Sequence, residues 1–240
     1  MRQIRLIAYI SARCNCALNQ VVFIGLLSSV MVPVHAATAV GRVQEASGDV
    51  AAVSVQRQER KVTAGAELFQ GENIKTGQRS WAKLRFSDGT RFELSAQTEM
   101  RIDRLSLDDT PAQDQFKASV FRGVFRFFSG LIAKRRPRAM EVILPTATIG
   151  IRGTQVVGEV KGSAATVILL EPEGAERLQA IDVSNPFGSV TISQAGFGTV
   201  IPDANSPPSP PRRMRLNTIR DLMRTLQAVR RVPIPRIRRR

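Results

Sequence analysis

Histidine and cysteine are scarce in this sequence, which contains one histidine and two cysteines among 240 residues. His35, Cys14 and Cys16 all lie near the N-terminus, so the chain beyond them offers neither an imidazole nor a thiol. Thiol nucleophiles, Ser-His-Asp triads, disulfides and zinc sites built on His or Cys are therefore excluded beyond residue 36. We predict that the protein is not an enzyme and has no catalytic, metal or cofactor site. A carboxylate-based or Ser/Lys mechanism is the one enzymatic class left open.

Residues 1–36 have the pattern of a secretory signal peptide. Three arginines precede an apolar run over 21–32, and Pro33 ends that run. The run is short for a membrane span, which needs about 20 residues, and side chains of small or modest size precede position 37. We predict cleavage after Ala36 and a periplasmic or secreted location. Cleavage after Ala39 and an uncleaved membrane anchor are the alternatives.

Positive charge is concentrated at the C-terminus. The formal net charge is +15, and residues 212–240 contribute eleven arginines against one aspartate. Basic and acidic residues nearly balance over 37–211. The high isoelectric point therefore belongs to the tail and not to the folded body of the protein.

Residues 37–201 have the pattern of one all-β domain. Short runs rich in Val, Ile and Phe alternate with Gly, Asp and Asn turns about every ten residues, as expected of a sandwich or barrel. The pattern predicts many short antiparallel strands in a sandwich, jelly roll or short β-solenoid, followed by a C-terminal amphipathic helix. The strongest predicted strands are 49–55, 81–86, 91–95, 141–144, 155–160, 166–170 and 189–193.

One hairpin of this domain can be predicted in register. A three-residue loop over 87–89 sets the apolar side chains of both strands on one face. Asp88 would then lie in a type I turn, and Gly89 would be left-handed in a G1 bulge. An opposite-charge pair would face outward in the same register. The predicted partners are Ala82 with Leu94, Lys83 with Glu93, and Leu84 with Phe92.

Two segments combine basic residues with other features. Residues 121–128 interleave aromatics with Arg122 and Arg126. The alternation favours a core strand with its polar face outward, and a nucleic-acid contact is the alternative. The basic run 134–138 is interpreted as a solvated loop, with contact to an anionic ligand as its alternative.

The C-terminal part divides into a linker and a basic tail. Five prolines over 202–211 favour an extended polyproline II linker without a core. Within the tail 212–240, apolar residues recur every three or four positions over roughly 214–230, which predicts a basic amphipathic helix. We assign contacts with an anionic surface to Arg212, Arg213, Arg215, Arg220, Arg224, Arg230 and Arg231.

Several partners are open to this tail. A cationic amphipathic helix can lie on an anionic membrane, or dock on an acidic partner or on its own β-domain. It can also bind nucleic acid through phosphates. We favour a membrane or acidic envelope polymer, and we place nucleic acid last because an exported protein meets little of it. A solvated tail that docks nowhere is the remaining possibility.

Several motifs together resemble the FecR domain family of exported β-modules. The most specific is PTATIGIRGT at 145–154, which is similar to the family signature P.A.IGVRGT. Residues 64–77 resemble the family's G…L..GD.I.TG segment, with Glu72 and Asn73 where an Asp is usual. Further resemblance lies at 41–50, 82–94 and 189–196.

The resemblance implies an envelope-located β-domain used for sensing or protein interaction. In the regulator that names the family, a cytoplasmic segment binds a sigma factor and a membrane span follows it. Here the N-terminus has the pattern of a signal peptide instead. We therefore carry over neither a sigma-factor role nor one in iron uptake.

The signature also has an interpretation from its residues alone. Gly150 and Gly153 allow tight turns or a close approach of chains. Arg152 is expected to be held by backbone carbonyls or by a carboxylate, which would fix a corner of the fold. The alternative has Arg152 and Thr154 contacting an anionic ligand. We favour the structural role for all four residues, because two flanking glycines point to a backbone requirement.

We predict a non-catalytic cell-envelope binding or sensing module with a role in signal transduction, whose partner is an envelope protein or a cell-wall polymer. The alternative is a structural or scaffold protein held at an anionic membrane or envelope polymer by its basic tail. A carbohydrate-active enzyme is the third interpretation, and nothing in the sequence pairs its carboxylates. Those carboxylates are Asp108, Asp109, Glu171, Glu173 and Asp182.

Overall fold

The computed structural model describes residues 38–171 and 180–228. Within them, 17 β-strands belong to one hydrogen-bonded network, accompanied by helices α1 (Leu131–Arg135) and α2 (Leu216–Ala228). The strands are β1 (Ala39–Ser47), β2 (Val50–Val53), β3 (Glu59–Lys61), β4 (Glu67–Phe69), β5 (Asn73–Thr76), β6 (Trp81–Phe86), β7 (Arg91–Leu94), β8 (Glu99–Ser106), β9 (Gln115–Phe128), β10 (Met140–Ile143), β11 (Thr148–Arg152), β12 (Gln155–Lys161), β13 (Ala164–Leu170), β14 (Ala180–Asn185), β15 (Gly188–Ile192), β16 (Phe197–Ile201) and β17 (Arg212–Arg213). The predicted signal peptide 1–36 and its cleavage site lie outside the described residues.

The network divides into two layers that share one strand. Layer A runs in the order β4-β1-β6-β7-β9-β12-β13-β16-β17. Layer B runs in the order β3-β2-β5-β8-β9-β10-β11-β14-β15. All neighbouring strands are antiparallel except β9 and β10, which are parallel. The prediction of a mainly β fold followed by a C-terminal helix is confirmed, and its architecture is a sandwich.

Strand β9 crosses from one layer to the other. Its first half pairs with β8 and β10 in layer B, and its second half pairs with β7 and β12 in layer A. Gly123 lies between the two halves with a φ of +95°, and a β-carbon at this position would collide with Thr98. Because only glycine combines a positive φ with such a close approach, the change of layer depends on Gly123.

Phenylalanine rings from both layers meet in the core. Phe92, Phe116, Phe125 and Phe127 are all completely buried. Phe92 of layer A stacks on Phe127 with 5.2 Å between ring centroids, and it lies 6.0 Å from Phe116 of layer B. These spacings are typical of aromatic pairs in protein cores. The interpretation of 121–128 as a core strand is therefore confirmed.

The predicted hairpin is the β6–β7 hairpin of layer A. Ala82 pairs with Leu94, Lys83 with Glu93, and Leu84 with Phe92, as the three-residue loop requires. Gly89 has a φ of +84°, so it is left-handed as predicted. The ion pairs of the outward residues differ from the cross-strand pair we expected, because Lys83 Nζ contacts Glu45 at 2.8 Å and Glu93 pairs with Arg126.

Helix α2 covers an apolar patch on the outer face of layer A. The patch consists of Val124, Val157 and Ile168, which are buried although they point away from the central core. Leu222 and Leu226 of α2 are buried against it. Burial of this stripe removes the helix's apolar surface from water, which is the main source of stability for an amphipathic helix. Of the alternatives open to the tail, the structure shows the helix docked on its own β-domain.

The predicted linker 202–211 lies against the β-domain. Thr199 Oγ1 donates a hydrogen bond to Ser209 O at 2.6 Å, and Ser209 N donates to Val200 O at 3.0 Å. Pro208 is buried, and the chain then continues as β17, which pairs with β16. We call residues 202–213 the strap, because they tie α2 to layer A instead of separating it from the domain.

The described helices are short and polar for a membrane setting. Over 38–171 and 180–228, neither helix combines the length and the apolar character that crossing a bilayer requires.

Candidate functional site

The two motifs singled out in the sequence meet at one end of the sandwich. Thr154 N donates to Ser129 Oγ at 2.7 Å, and Ser129 N donates to Thr154 O at 3.0 Å. Gly130 N donates to Thr90 Oγ1 at 3.0 Å, and Leu131 N donates to Asp88 O at 2.8 Å. We call the assembly of 88–90, 129–131 and 153–154 the motif corner. The short link after β9 therefore joins the hairpin turn to the RGT signature.

Asp88 is the buried acid of the motif corner. Its carboxylate accepts hydrogen bonds from Thr90 N at 2.9 Å and from Thr90 Oγ1 at 2.7 Å, and the residue is only 4% exposed. Burial raises the pKa of Asp88 above its usual value, and the bonds from Thr90 oppose this shift. The side chain therefore closes the turn on itself and does not present a carboxylate to solvent.

Asp88→Asn is expected to weaken the decline of stability with rising pH. The raised pKa means that the contribution of Asp88 is fully present below its unfolded-state pKa and is lost as pH rises through the folded-state pKa. Asparagine does not ionise, so the variant does not lose this contribution as pH rises. The free energy of unfolding of the variant, relative to that of the wild type, should therefore increase between about pH 4 and about pH 7. Urea denaturation at both pH values measures this, and an unchanged pH dependence would contradict the effect of burial.

The two glycines of the signature have different roles. Gly153 has a φ of +63°, which favours glycine and matches the expected turn. Gly150 lies within β11, and a β-carbon there would meet nothing closer than Asp182 O at 3.8 Å. The expectation of a tight turn or close approach at Gly150 is therefore wrong, because the position is ordinary extended strand.

Arg152 is held by a carboxylate on the neighbouring strand. Its Nη2 donates to Asp182 Oδ2 at 2.6 Å, and Asp182 Oδ1 accepts from Thr191 Oγ1 at 2.7 Å. Burial acts to raise the pKa of Asp182, but the bonds from Thr191 and Arg152 outweigh it, with the charges of Arg152 and Arg138, and the pKa is lowered. Thr154 is buried, so Arg152 alone of these two faces the surface of layer B.

Arg152→Ala is expected to lower the free energy of unfolding by about 1 kcal/mol at neutral pH, the size of a partly exposed ion pair. The lowered pKa of Asp182 means that this stability is present above its unfolded-state pKa and disappears as pH falls through the folded-state pKa. The difference from the wild type should therefore shrink in acid. Urea denaturation at about pH 7 and about pH 3 measures it, and a constant difference would show that packing and not charge is responsible.

The basic run 134–138 is exposed except for Arg135, as a solvated segment should be, but two of its arginines bind the neighbouring loop. Arg135 Nε lies 3.3 Å from Asp114 Oδ2, and Asp114 is completely buried. Arg135 Nη2 also donates to Asp108 O at 3.0 Å, and Arg136 Nη1 donates to Ala112 O at 2.6 Å. Arg135 thus supplies the charged partner that a buried carboxylate requires. Both arginines bind the loop between β8 and β9, Arg135 from the end of α1 and Arg136 from the residue after it.

The tail arginines fall into three groups. Arg212 and Arg213 form β17, and Arg215 precedes α2. Arg220 and Arg224 lie on the exposed side of α2, opposite its docked stripe. Arg230 and Arg231 lie outside the described residues. The described tail arginines are all exposed, so any anionic contact would use their charge and not the apolar face.

The carboxylates considered for an enzyme are dispersed or engaged. Asp182 is paired with Arg152, while Asp108 and Asp109 lie in the loop that Arg135 binds. Glu171 is exposed at the end of β13 and Glu173 lies outside the described residues. Over 38–171 and 180–228, no group of three or more His, Cys, Asp or Glu could hold a metal ion.

Sequence reasoning missed the link that completes the motif corner. Ser129 and Gly130 carry no charge and match no quoted motif, although they take part in three of the four hydrogen bonds that join its segments. A glycine two residues after an aromatic strand was the available signal, because a glycine at a strand end often marks a close approach of two chains.

Comparisons with known proteins bear on this fold. No curated protein shows significant sequence similarity to the chain. Two crystal structures of a candidate anti-sigma factor from Parabacteroides distasonis are similar to it, with 13% and 14% identity and TM-scores of 0.48 and 0.47. Each alignment covers 63% of this chain, and the chain spans 64% of the length of those solved chains.

The family comparison covers the motif corner directly. The family model described as FecR protein matches residues 72–173. That range includes the β6–β7 hairpin, the Ser129–Gly130 link and the signature at 145–154, while the resembling segments 41–50 and 189–196 lie outside it. Residues 72–173 of the chain are therefore similar to the FecR family.

Proposed function

We propose that the protein is a non-catalytic binding or sensing module of the cell envelope that recognises a protein partner. The observation that carries the proposal is the similarity to the FecR family over 72–173. This similarity supports a regulatory role in signalling or sensing. The envelope location, the absence of catalysis and the protein partner are parts of our proposal.

The state of the polar groups supports a role in binding. Asp88 and Arg152, which a reactive site would expose, are each engaged by groups of the fold itself. A catalytic acid or base must reach a substrate proton within hydrogen-bonding distance. The signature of the domain therefore maintains the scaffold, and recognition falls to surfaces elsewhere, as is usual for rigid β-scaffolds.

The location is tested by the N-terminus of the cellular protein. The proposal expects a protein that begins at Ala37 in the periplasmic or secreted fraction, since the signal pattern ends at Ala36. Fractionation followed by N-terminal sequencing measures this. A cytoplasmic protein that still begins at Met1 would contradict the proposal.

The partner is tested by photo-crosslinking in living cells. A photoreactive residue at an exposed position of each layer, for example Arg85 of layer A and Arg101 of layer B, samples both outer faces. We expect one face to yield a discrete crosslinked protein. Crosslinks to glycan or lipid alone, from both faces, would contradict a protein partner.

A second candidate is a scaffold held at an anionic membrane or polymer by its tail. It is favoured by Arg220 and Arg224, which point to solvent while the apolar side of α2 is docked. Such contact would be electrostatic and therefore sensitive to salt. Co-sedimentation with anionic vesicles at about 0.05 M and about 0.5 M salt tests it. Binding that survives the higher salt would instead indicate insertion of the apolar face.

A further inference from the structure

A cleft opens between the strap, the start of α2 and the outer face of layer A. Its volume is about 390 Å³, which is ample for a small anionic group. Three arginines and two threonines line it, together with two apolar residues. The polar lining residues are Arg212, Arg213, Arg215, Thr166 and Thr218.

The arginines of this cleft are carried on ordered backbone. In the β16–β17 ladder, Arg212 pairs with Gly198 and Arg213 with Phe197. Met214 N donates to Gly196 O at 2.9 Å, and the Met214 side chain is buried. The backbone that carries these arginines is thus fixed before any ligand arrives, which lowers part of the entropic cost of binding.

The Met214 side chain closes the floor of the cleft. Its Cε lies 2.8 Å from where a β-carbon on Gly198 would be, and Val167 O lies 2.5 Å from the same point. Gly198 therefore admits the thioether to the surface of layer A. Because Met214 is anchored there, Arg213 and Arg215 flank a fixed residue and do not swing with a free tail.

The positive charge of the cleft is not neutralised from within. Other arginines of the fold have carboxylate partners, as Arg126 has Glu93 and Arg152 has Asp182. Over 38–171 and 180–228, Arg212, Arg213 and Arg215 have no carboxylate within ion-pair distance. The nearest acid in register is Glu159, which lies opposite Thr166 in the β12–β13 ladder. The cleft therefore keeps a net positive charge.

We propose that this cleft binds a phosphate group. The planar guanidinium matches two phosphate oxygens with parallel hydrogen bonds, and the hydroxyls of Thr166 and Thr218 can donate to a third oxygen. Neighbouring Glu159 would repel the anion and limits its affinity. The site goes beyond the proposed function, because it assigns a ligand to the strap and needs no protein partner.

The experiment titrates the full chain with inorganic phosphate and follows amide chemical shifts or calorimetric heat. We expect saturable binding that Arg212→Gln with Arg213→Gln weakens about tenfold or more, the size of lost charge-assisted hydrogen bonds. The matched control is Arg220→Gln with Arg224→Gln, which removes the same charge from the same region outside the cleft. Its affinity should stay within about twofold, since neither arginine lines the cleft and exposed charges act weakly through water. Glu159→Gln should tighten binding.

A second experiment with phosphatidylglycerol vesicles distinguishes a lipid headgroup from a free phosphate ester as the source of the phosphate. Vesicle binding that free phosphate displaces and that Arg212→Gln with Arg213→Gln abolishes would support a lipid headgroup as ligand. Phosphate binding without vesicle binding would support a free phosphate ester. Absence of saturable binding, or equal weakening by both double variants, would overturn the proposal. Crosslinking to a protein partner is a separate readout, so failure here leaves the proposed function standing.

Discussion

Replacing Gly130 with alanine is expected to destabilise the β-sandwich by about 3 kcal/mol, the upper part of the range for an overpacked site. A β-carbon there would lie 2.5 Å from Asp88 O and 2.8 Å from Asp88 Oδ2, and it would also collide with Thr90 N. These atoms belong to a tight turn whose backbone is hydrogen-bonded on both sides, so they cannot move aside cheaply. The motif corner would have to open, and the link between the hairpin and the RGT signature would be lost.

The cost at Gly130 is steric and not conformational. Its φ of −97° is accessible to any residue, so the main-chain torsions do not demand glycine. Gly150→Ala is the matched control, because Gly150 also has an ordinary strand conformation but its nearest atom would be 3.8 Å away. That variant should stay within about 0.5 kcal/mol of the wild type. Urea denaturation followed by circular dichroism measures both, and equal effects would contradict the role assigned to the corner.

Replacing Val157 with aspartate is expected to release α2 from layer A. Val157 is completely buried beneath the helix, in contact with the stripe that contains Leu222. A buried carboxylate at such a position costs about 2 to 4 kcal/mol, because the neighbouring Arg126 is already paired with Glu93. Lifting the helix lets water reach the new charge while the central core stays closed. Hydrogen exchange of the α2 amides should accelerate at least about tenfold, since local opening would then need little free energy.

Thr225→Asp is the control for this release. It places the same charge on the exposed side of α2, where it touches no part of layer A. Its helix amides should exchange as in the wild type, and strands of layer B should stay protected in both variants. Slow exchange of α2 in the Val157→Asp variant would contradict docking on the patch.

Release of α2 also bears on the membrane candidate. The same apolar stripe cannot cover Val157 and insert into lipid at once, so docking and insertion exclude each other. If insertion occurs, Val157→Asp should bind anionic vesicles more strongly than the wild type, because its apolar face is no longer occupied. Unchanged vesicle binding would leave the exposed arginines as the only membrane contact.

Local patterns predicted the local structure well. The hairpin register followed from Asp88-Gly89 and the alternation of apolar residues, because a one-residue slip would turn each apolar side chain to solvent. The strand at 155–160 was predicted within one residue of β12. The amphipathic helix was found from its period, although Leu216 proved to be 71% exposed and lies outside the packed stripe.

Relations between distant segments were not predictable in this way. β9 belongs to both layers, and its pairing with β10 in parallel depends on partners that the sequence does not specify locally. Docking of α2 depends on a patch made by Val124, Val157 and Ile168 from three strands. The proline-rich strap has the composition of a free linker, yet Thr199 and Ser209 tie it to β16.

For the signature at 145–154, the expectation for Arg152 was confirmed and the expectation for Gly150 was wrong. Both outcomes depend on the neighbouring strand that contains Asp182. Arg152 was expected to find a carboxylate or carbonyls, and Asp182 supplies the carboxylate from a strand 30 residues away. Gly150 was expected to serve a turn because glycine is permissive, but the register sets it opposite Asp182 in a regular ladder. Residue type alone does not distinguish a required glycine from a tolerated one.

The account rests on the claim that the FecR-like signature at 145–154 builds the scaffold while other surfaces bind. Its most direct test measures Arg152→Ala twice in the same preparation, by thermal unfolding and by capture of protein partners from a periplasmic extract. We predict that Tm falls by about 2 to 4 °C, as expected for about 1 kcal/mol in a domain of this size, and that the captured proteins are unchanged. An unchanged Tm together with loss of the captured proteins would contradict the account, because Arg152 would then be a contact and not a support.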